Sequence, residues 1–404
     1  MQIKYRIGIM PGPWPAGSPG EGVDFFWRLI DLCERTEIDS VWFSDRLSSP
    51  LPVLEPMTAM AAVAARTRRL KFGPSVLIAP FRSPVLAARQ IAMLDYLSGG
   101  RVLPAVGIGV EQEREFLAAG VPFRERGRRT DEAIQVMRRC WEESEVTFAG
   151  EFWRLDRITV LPRPIQQPMP LWVGGNSEAA MRRTARMGDG WIPSFITPDQ
   201  FRVGVDKTLG FAAEAGREVP GDHFGTLVQF CLDADPAIAR SMALPFIPRG
   251  RVDAPTLDAC TAFGPAELVS ERLEQYVKGG GSKFILRPMC PPERMLEQLE
   301  RLAAEAGREV PGDHFGTLVN YCLDASPETA RALALPFIPR ARVDAPTLDA
   351  CTAFGPADLV GERLEQYVKG GGSKFILRPM CPPERMLEQL ARLATEVIPA
   401  FHTR

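Results

Sequence analysis

Histidine, the side chain most often used for acid–base chemistry near neutral pH, is almost absent from this sequence. The only three histidines are His223, His314 and His402, so the first 222 residues contain none. A Ser-His-Asp triad, a Cys-His pair or a histidine-rich zinc site is therefore excluded from that region. Chemistry located there must use carboxylates, hydroxyls, backbone groups or a bound cofactor, and no metal site is predicted.

Polar residues follow two apolar segments that predict buried strands. "IDSVWFSDR" ends in Asp45 and Arg46, and "RVLPAVGIGVEQ" ends in Glu111 and Gln112. If these strands run parallel, their carboxyl ends meet at one edge, where active sites of such folds lie. The sequence alone leaves a second interpretation open, in which Asp45 caps a loop and pairs with Arg46.

A glycine pair separates another predicted strand from a helix in "LWVGGNSEAAMRR". The amides of Gly174, Gly175, Asn176 and Ser177 can converge there, and a helix start favours an anion. Ordinary helix capping by Asn176 and Ser177 is the alternative. Trp191, in "GDGWIP", either lines a pocket or fills the interior of the fold. Together these residues suggest a phosphorylated cofactor on one side of the strand ends.

The elements that must position these residues alternate between strand and helix. Six strand–helix units are predicted before Phe211, with Thr130 as the cap of one helix, and two more follow. Eight units predict an α/β fold of the (β/α)8 TIM-like barrel type. An open doubly wound sheet is the competing architecture, but no GxGxxG motif joins the first strand to its helix.

A tandem duplication makes the chain longer than such a barrel needs. Residues 211–300 align without gaps to 302–391, with 12 differences in 90 positions. We therefore predict a barrel over 1–301 and, over 302–404, a near-identical duplicate of its last two units. A barrel of eight strands has no space for two more. The first copy is expected to close it because its connection is shorter; the other copy is then surplus or exchanged, which predicts oligomerisation or poor solubility.

The amino-acid composition limits the kinds of partner that this chain is expected to bind. The formal net charge is -2 and no long uninterrupted apolar stretch occurs, so neither nucleic acid nor a membrane is an expected partner. The eight cysteines contain no CxxC pair, which favours reduced thiols and a cytoplasmic location. The expected partner is a small-molecule substrate.

Four segments jointly resemble the bacterial luciferase-like flavin monooxygenase superfamily. They are "PFRSPVLAARQIAMLDYLSGGRVLPAVGIG", "RGRRTDEAIQVMRRCWE", "PMPLWVGGNSEAAMRRTARMGDGWIP" and "LVSERLEQYVKGGGSKFIL". The resemblance implies a TIM-like barrel, usually dimeric, that holds reduced flavin mononucleotide (FMN) or the deazaflavin coenzyme F-420. It also implies a cis peptide bond at Ser75–Val76 against the cofactor ring, and a phosphate site at Gly174, Gly175, Asn176 and Ser177. Trp191 is grouped with these cofactor-binding residues.

The chain departs from the family pattern after the acidic residue that matches Asp45. Luciferases and the deazaflavin-dependent sugar-phosphate dehydrogenases carry a histidine at the next position, where this chain has Arg46. Direct hydride transfer with coenzyme F-420, which needs no oxygen activation, therefore fits better than luciferase-type chemistry. Asp45 and Glu111 become the candidate proton donors or acceptors, and Arg46 is a candidate for binding an anionic substrate or the cofactor tail.

Three candidate functions follow from the family resemblance and from the departure at Arg46. The first is an oxidoreductase that transfers a hydride between coenzyme F-420 and a small organic substrate. The second is a monooxygenase that uses reduced FMN and oxygen. The third is a catalytically silent flavin-binding or assembly protein, in which the duplicated segment mediates association into a homodimer or a higher homo-oligomer.

Overall fold

The computed structural model divides the chain into two compact units, Met1–Arg308 and Glu309–Arg404. The residues it describes are 6–12, 14, 19–36, 38–49, 52–109, 113–248, 250–305, 316–335, 352–369, 374–379, 381 and 385–397. The first unit contains all described residues up to Glu305 and carries every described residue of the predicted site.

Strands and helices alternate along most of the first unit. Its strands are β1 (Arg6–Ile9), β2 (Ser40–Phe43), β3 (Lys71–Pro74), β4 (Leu77–Ile78), β5 (Ala105–Gly107), β6 (Val146–Ala149), β7 (Arg154–Ile158), β8 (Trp172–Gly174), β9 (Gly190–Ile192), β10 (Gly225–Leu232), β11 (Thr261–Gly264) and β12 (Lys283–Pro288). Its α-helices are α1 (Pro19–Arg35), α2 (Pro56–Arg66), α3 (Pro84–Ser98), α4 (Glu113–Ala118), α5 (Arg126–Glu142), α6 (Glu178–Met187), α7 (Pro198–Glu214), α8 (Pro236–Ala243), α9 (Ala254–Cys260), α10 (Ala266–Lys278) and α11 (Met295–Glu305).

Parallel pairing joins the strands of the first unit into two sheets. One has the order β11-β10-β12-β1-β2-β3 and the other the order β4-β5-β8-β9. Single bridges also link them. Phe72 of β3 pairs with Val102 ahead of β5, Trp191 of β9 pairs with Phe224 just before β10, and Ser194 just after β9 pairs with Leu227 of β10. The architecture is therefore α/β, with mostly parallel strands.

Helix starts follow the capping rules that the sequence displays. Ser83, Ser177 and Thr197 precede α3, α6 and α7, and each side chain accepts a hydrogen bond from a backbone N–H of the first turn. Proline occupies the first turn of α3 and α7, where its missing N–H is not needed. These caps fix where each helix leaves the strand end before it.

Several elements differ from the sequence-based expectation. The predicted single strand over 70–80 is divided into β3 and β4 at Ser75 and Val76. Thr130 is not a cap: it lies inside α5, where its hydroxyl donates to the Arg126 carbonyl at 2.8 Å. The antiparallel hairpin β6–β7, the short helix α4 and the strand β11 were not predicted.

The second unit repeats the strand pairing of the first copy. Its strands β13 (Gly316–Leu323), β14 (Thr352–Gly355) and β15 (Lys374–Pro379) form a parallel sheet in the order β14-β13-β15. Gly316 pairs with Lys374 just as Gly225 pairs with Lys283 in the first copy. The described α-helices of this unit are Pro327–Ala334, Ala357–Lys369 and Met386–Arg392, and a π-helix covers Leu393–Val397. In the first copy, β12 pairs with β1 as well as with β10.

Two further observations concern the described residues as a set. None of their helices combines the length and the apolar character that crossing a membrane requires. The seven described cysteines are buried thiols, and burial raises the pKa of Cys33 and of Cys290 to about 12. Such thiols are poor nucleophiles at neutral pH.

Candidate functional site

Alternation along the parallel strands separates two apolar layers in the first unit. A large cluster lies between the strands and the helices, whereas a smaller one, here called the inner cluster, consists of alternate strand residues. The inner cluster contains Met10, Trp42, Leu103, Ala105, Trp172, Ile192, Leu227 and Ile285, with the half-buried Val76 packed against it. Side chains one step further along these strands therefore lie at the carboxyl ends, where the candidate site was predicted.

Val76 lies at the carboxyl end of the strands, between two glycines. The Ser75–Val76 peptide bond is cis, as the resemblance implied. A Cβ added at Gly107 would lie 2.6 Å from Val76 Cγ2, and one added at Gly174 would lie 2.5 Å from Val76 Cγ1. Only glycine leaves room for the Val76 side chain at these two positions, so β5 and β8 hold it in a close-fitting cradle.

Asp45 is buried and both of its oxygens accept hydrogen bonds. Its side chain binds the backbone N–H of Ile78 at 2.8 Å and the guanidinium of Arg82, whose Nη2 donates to Oδ1 at 3.0 Å. The predicted alternative, an Asp45–Arg46 pair, is wrong because Arg82 takes that place. These contacts tie the end of β2 to the segment just after Val76 and favour a positioning role. The catalytic role of Asp45 stays a prediction.

Arg46 pairs with a carboxylate that sequence reasoning missed. Its Nε donates to Glu115 Oε1 at 3.0 Å, and the backbone N–H of Leu47 donates to Glu115 Oε2 at 3.0 Å. The Glu115 side chain is 1% exposed and that of Arg46 is 22% exposed. Helix α4 therefore fixes the direction of Arg46. The other candidate acid, Glu111, lies outside the described residues.

The predicted phosphate loop is exposed from Gly175 to Ser177 and is tethered by hydrogen bonds. Ser177 caps α6 by accepting from the Ala180 N–H at 3.3 Å, which confirms the capping interpretation for this residue. Asn176 does not cap; its amide bonds both backbone groups of Ser194, at 2.7 and 3.3 Å. Glycine is required at Gly175, whose φ is +118°. The loop is thus held to the end of β9, and its anion-binding role stays a prediction.

Trp191 lies in the layer between strands and helices. It is 0% exposed, its ring stacks on Phe201 of α7 at 5.6 Å between centroids, and its indole N–H donates to the Gly175 carbonyl at 2.8 Å. It belongs to the large cluster and not to the inner one. Trp191 therefore supports the loop from behind, and the cofactor-binding role assigned to it is not what these contacts show.

Two polar residues at the strand ends were not predicted. Gln229 of β10 and Arg287 of β12 are register partners, one step beyond Leu227 and Ile285 of the inner cluster. Gln229 is 0% exposed. Burial, together with the positive charge of Arg46, lowers the pKa of Arg287 to about 10. The signal was present in "GTLVQFCL" and "KFILRP", where a polar residue interrupts the inward phase of an apolar strand.

The opposite end of the same strands holds a buried lysine. The Lys283 ammonium lies 5.5 Å from the Trp172 ring centroid and 3.8 Å from Asp39 Oδ2. Burial lowers the pKa of Lys283 to about 8, against an opposing effect of Asp39. Lys71 binds the other oxygen of Asp39 at 3.3 Å. This end is filled by side chains, whereas the carboxyl ends of the strands carry Arg46 and Arg287.

An open groove of about 610 Å³ begins at the predicted phosphate loop and runs outside the inner cluster. It is lined by Asn176, Met181, Phe195, Ile196, Asp199, Gln200, Val203, Gly204, Lys207, Val252, Asp253 and Thr256. Among the described residues, no group of three or more His, Cys, Asp or Glu side chains is arranged to hold a metal ion.

Comparison with curated proteins identifies relatives across part of the chain. An uncharacterised protein of Mycobacterium tuberculosis is 37% identical over 183 residues, which cover 45% of this chain and 62% of that protein. An F420-dependent glucose-6-phosphate dehydrogenase of Kineococcus radiotolerans is 32% identical and covered to 67% of its length. An FMNH2-dependent dimethylsulfone monooxygenase of Pseudomonas putida is 34% identical and covered to 56%. The chain thus spans about three-fifths of the first of these relatives.

Solved structures share the fold at low sequence identity. An F420-dependent secondary alcohol dehydrogenase superposes with a TM-score of 0.64 at 22% identity, covering 76% of this chain and 100% of its own. The monooxygenase RslO1 from Streptomyces bottropensis covers 98% of this chain with a TM-score of 0.53 and 20% identity. The family model described as luciferase-like monooxygenase matches residues 3–283, and the chain therefore belongs to that family.

Proposed function

We propose that the chain is an oxidoreductase that transfers a hydride between coenzyme F-420 and a small organic substrate. The cradle of Val76 between Gly107 and Gly174 carries this proposal, since it gives the open strand ends a small apolar floor suited to a flat ring. The relatives named as F420-dependent dehydrogenases support the choice of coenzyme. When bound, the deazaflavin accepts or supplies the hydride.

The described residues divide the work of binding. Val76 and its two glycines form the floor, and the loop of Gly174, Gly175, Asn176 and Ser177 is the proposed phosphate site. Glu178, in the first turn of α6, would repel an anion only weakly because its charge is neutralised. Arg182 binds it at 2.9 Å and the Lys207 ammonium lies 3.7 Å away. Asp45 and Arg82 hold the segment after Val76 in position.

We also propose that eight parallel strands close into a barrel. The order β1, β2, β3, β5, β8, β9, β10, β12 returns to β1 through ladders and through the bridges at Phe72–Val102 and Trp191–Phe224. The first copy of the duplicated segment supplies β10 and β12 of this order. A closed barrel would have a single binding site, here called the mouth, at the carboxyl ends of the strands. The cofactor ring and the substrate would meet there.

Titration of the purified chain with coenzyme F-420 and with FMN tests the proposal. We expect saturable quenching of F-420 fluorescence at micromolar protein concentrations, followed by absorbance changes when reduced or oxidised substrates from a panel of alcohols, carbonyls and alkenes are added. Binding of neither cofactor would refute the proposal. Binding without turnover of any panel member would favour the catalytically silent protein.

A reduced-FMN-dependent monooxygenase is the second candidate function. The dimethylsulfone monooxygenase relative, at 34% identity over 204 residues, is the observation that favours it. The two functions differ in their need for oxygen. Turnover with FMNH2 that stops under anaerobic conditions would establish this alternative, whereas anaerobic turnover with F-420 would exclude it.

Association into a homodimer or a higher homo-oligomer is proposed as well. The second unit repeats three strands whose counterparts in the first unit are completed by β1. Light scattering of the full chain beside a variant lacking 302–392 tests whether the duplicate drives association. The same number of chains per assembly in the full chain and in the variant would contradict that role.

A further inference from the structure

Unsatisfied buried polar atoms concentrate at one place in the first unit. Three buried side-chain atoms without a hydrogen-bond partner among the described residues belong to the adjacent Gln229 and Arg287. They are Nε2 and Oε1 of Gln229 and Nε of Arg287. A buried donor or acceptor without a partner costs about 1–3 kcal/mol. Two adjacent residues that carry three such atoms therefore indicate a missing ligand.

Arg287 is also a cation without a described counterion. No Asp or Glu among the described residues forms an ion pair with it, whereas the neighbouring Arg46 is paired with Glu115. Burial and the charge of Arg46 both lower the pKa of Arg287, but at about 10 it remains charged at neutral pH. Arg287 therefore places at the strand ends a positive charge that none of the described carboxylates pairs with.

The position of the pair places it inside the mouth. Gln229 and Arg287 continue the inward phase of Leu227 and Ile285, which belong to the inner cluster. In the order of strand pairing, β10 and β12 lie on the far side of the strand circuit from β3 and β5, which flank Val76. A group bound by Arg287 would thus face the floor that Val76 provides.

We propose that Arg287 and Gln229 form a subsite for an oxyanion of the substrate, either a carboxylate or a phosphate. The guanidinium supplies the charge and the fork of donors that such groups need, and the Gln229 amide supplies one further donor. This inference rests on the proposed function, because it assigns the substrate class of the same mouth. The substrate of this oxidoreductase is then a small organic acid or a phosphate ester.

Direct anion titration tests the subsite without a known substrate. The full chain is titrated with acetate and with inorganic phosphate by calorimetry, first alone and then saturated with cofactor. We expect the wild type to bind at least one anion, and the preferred one distinguishes a carboxylate from a phosphate substrate. Arg287→Met should weaken binding roughly 10- to 100-fold, the range for a hydrogen bond to a charged group. Arg128→Met, which removes an exposed arginine paired with Glu151, is the matched control and should bind like the wild type.

Stability provides a second readout that a purely structural role would not give. Arg287→Met and Gln229→Leu remove buried polar atoms that no residue satisfies, so both should raise the melting temperature while they weaken anion binding. Gln229→Asn copies the residue that the second copy carries at Asn320, and should bind anions with intermediate strength because its amide is one methylene shorter.

Each failure has a distinct meaning. A wild type that binds neither anion, or an Arg287→Met variant that binds like the wild type, overturns the subsite. Loss of anion binding on saturation with cofactor also overturns it, because the subsite would then belong to the cofactor. Cofactor binding is measured separately by fluorescence: its absence defeats the proposed function, whereas intact cofactor binding with no anion binding defeats the subsite alone.

Discussion

In two arginine–aspartate pairs of this chain, the guanidinium donates hydrogen bonds to both carboxylate oxygens, but one pair is buried and the other is exposed. The contrast predicts how much each pair contributes to stability. Arg82 and Asp45 have side chains 16% and 2% exposed, whereas Arg66 and Asp31 are 41% and 45% exposed. Asp45→Asn should cost about 1.5–3 kcal/mol of unfolding free energy, because it leaves the largely buried Arg82 with only the more exposed Glu55, 3.1 Å away, as a counterion. Asp31→Asn should cost less than about 1 kcal/mol.

Urea unfolding of the two variants at pH 7 makes this comparison. If the losses are equal, the Asp45–Arg82 pair does not hold the segment after Val76. Cofactor titration of Asp45→Asn, under conditions where it remains folded, then separates positioning from proton transfer. A positioning role weakens binding, whereas a proton-transfer role leaves binding intact and lowers the turnover number.

Lys283 predicts a stability change with alkaline pH. Its pKa is about 8 in the folded chain and close to 10.4 in an unfolded one. Between these values the unfolded state binds more protons, so rising pH favours folding. Relative to Lys283→Met, the wild type should gain about 2.5 kcal/mol from pH 8 to pH 10.5, which is most of the roughly 3 kcal/mol that the pKa difference represents.

The Lys283→Met variant serves as the reference for the wild type in this experiment. Buried thiols such as Cys33 and Cys290, whose pKa values burial raises to about 12, destabilise both proteins above pH 9. Only the difference between wild type and Lys283→Met isolates the lysine. A difference that stays constant across the range would show that Lys283 titrates normally.

Single residues were predictable where the sequence pattern is local. The loop from Gly174 to Ser177 occurs at a strand end that can be recognised within a few neighbours, whereas Ser75 and Val76 were predicted from the family resemblance. The partners of Asp45 and Arg46 were not predictable, because Arg82 and Glu115 lie 37 and 69 positions further along. Which of several nearby charges meets a buried one depends on how strands and helices pack, and no local pattern encodes it.

At the scale of elements, the close approach of β5 and β8 to the segment after β3 predicts a rescue experiment. Gly107→Ala places a Cβ 2.6 Å from Val76 Cγ2, so Val76 must shift and cofactor affinity should fall roughly tenfold to a hundredfold, as overpacking by about 1–3 kcal/mol implies. Val76→Ala removes that methyl and leaves its Cβ 3.5 Å away, an ordinary contact. The double variant should therefore bind like Val76→Ala.

The rescue is read by fluorescence titration, with Gly210→Ala as the control. Gly210 lies in α7 and a Cβ there meets no atom within 4 Å, so cofactor affinity should not change. A double variant as weak as Gly107→Ala would show that the cradle around Val76 is not part of the binding floor.

The elements that carry the site were predicted, whereas two strand features elsewhere were not. The strands and helices that carry the site all appear near their predicted positions. The hairpin β6–β7 escaped prediction because its stability comes partly from a distant carboxylate: Glu132 of α5 accepts from the backbone N–H of Trp153 at 2.8 Å. β11 escaped prediction because it begins at Thr261, directly after the last residue of α9, so no turn signal marks its start.

At the scale of the whole molecule, the duplication shows how much of the folding is local. The two copies differ at 12 of 90 aligned positions, and their strands pair in the same order and register. Gln229 and Phe230 are replaced by Asn320 and Tyr321 without a change of register. The repeat was evident from the sequence, but the pairing of β12 with β1 was not, since near-identical copies carry the same local information.

Equivalent substitutions in the two copies test which copy the candidate site depends on. A Cβ at Gly225 would lie 2.2 Å from the Lys283 carbonyl oxygen, so Gly225→Val should separate β10 from β12 and abolish cofactor binding. Gly316→Val is the matched change in β13 and should leave binding unchanged. The second copy should not replace the first, because that would leave a loop of roughly 90 residues, at a closure cost of about 4–5 kcal/mol.

Fluorescence titration of both single variants and the double variant distinguishes a fixed arrangement from exchange between copies. In a fixed arrangement, Gly225→Val and the double variant fail to bind cofactor and Gly316→Val binds fully. If each single variant binds and only the double variant fails, either copy can complete the fold, within one chain or between two. Dilution then separates these cases, since binding that depends on a second chain decreases with protein concentration and binding within one chain does not.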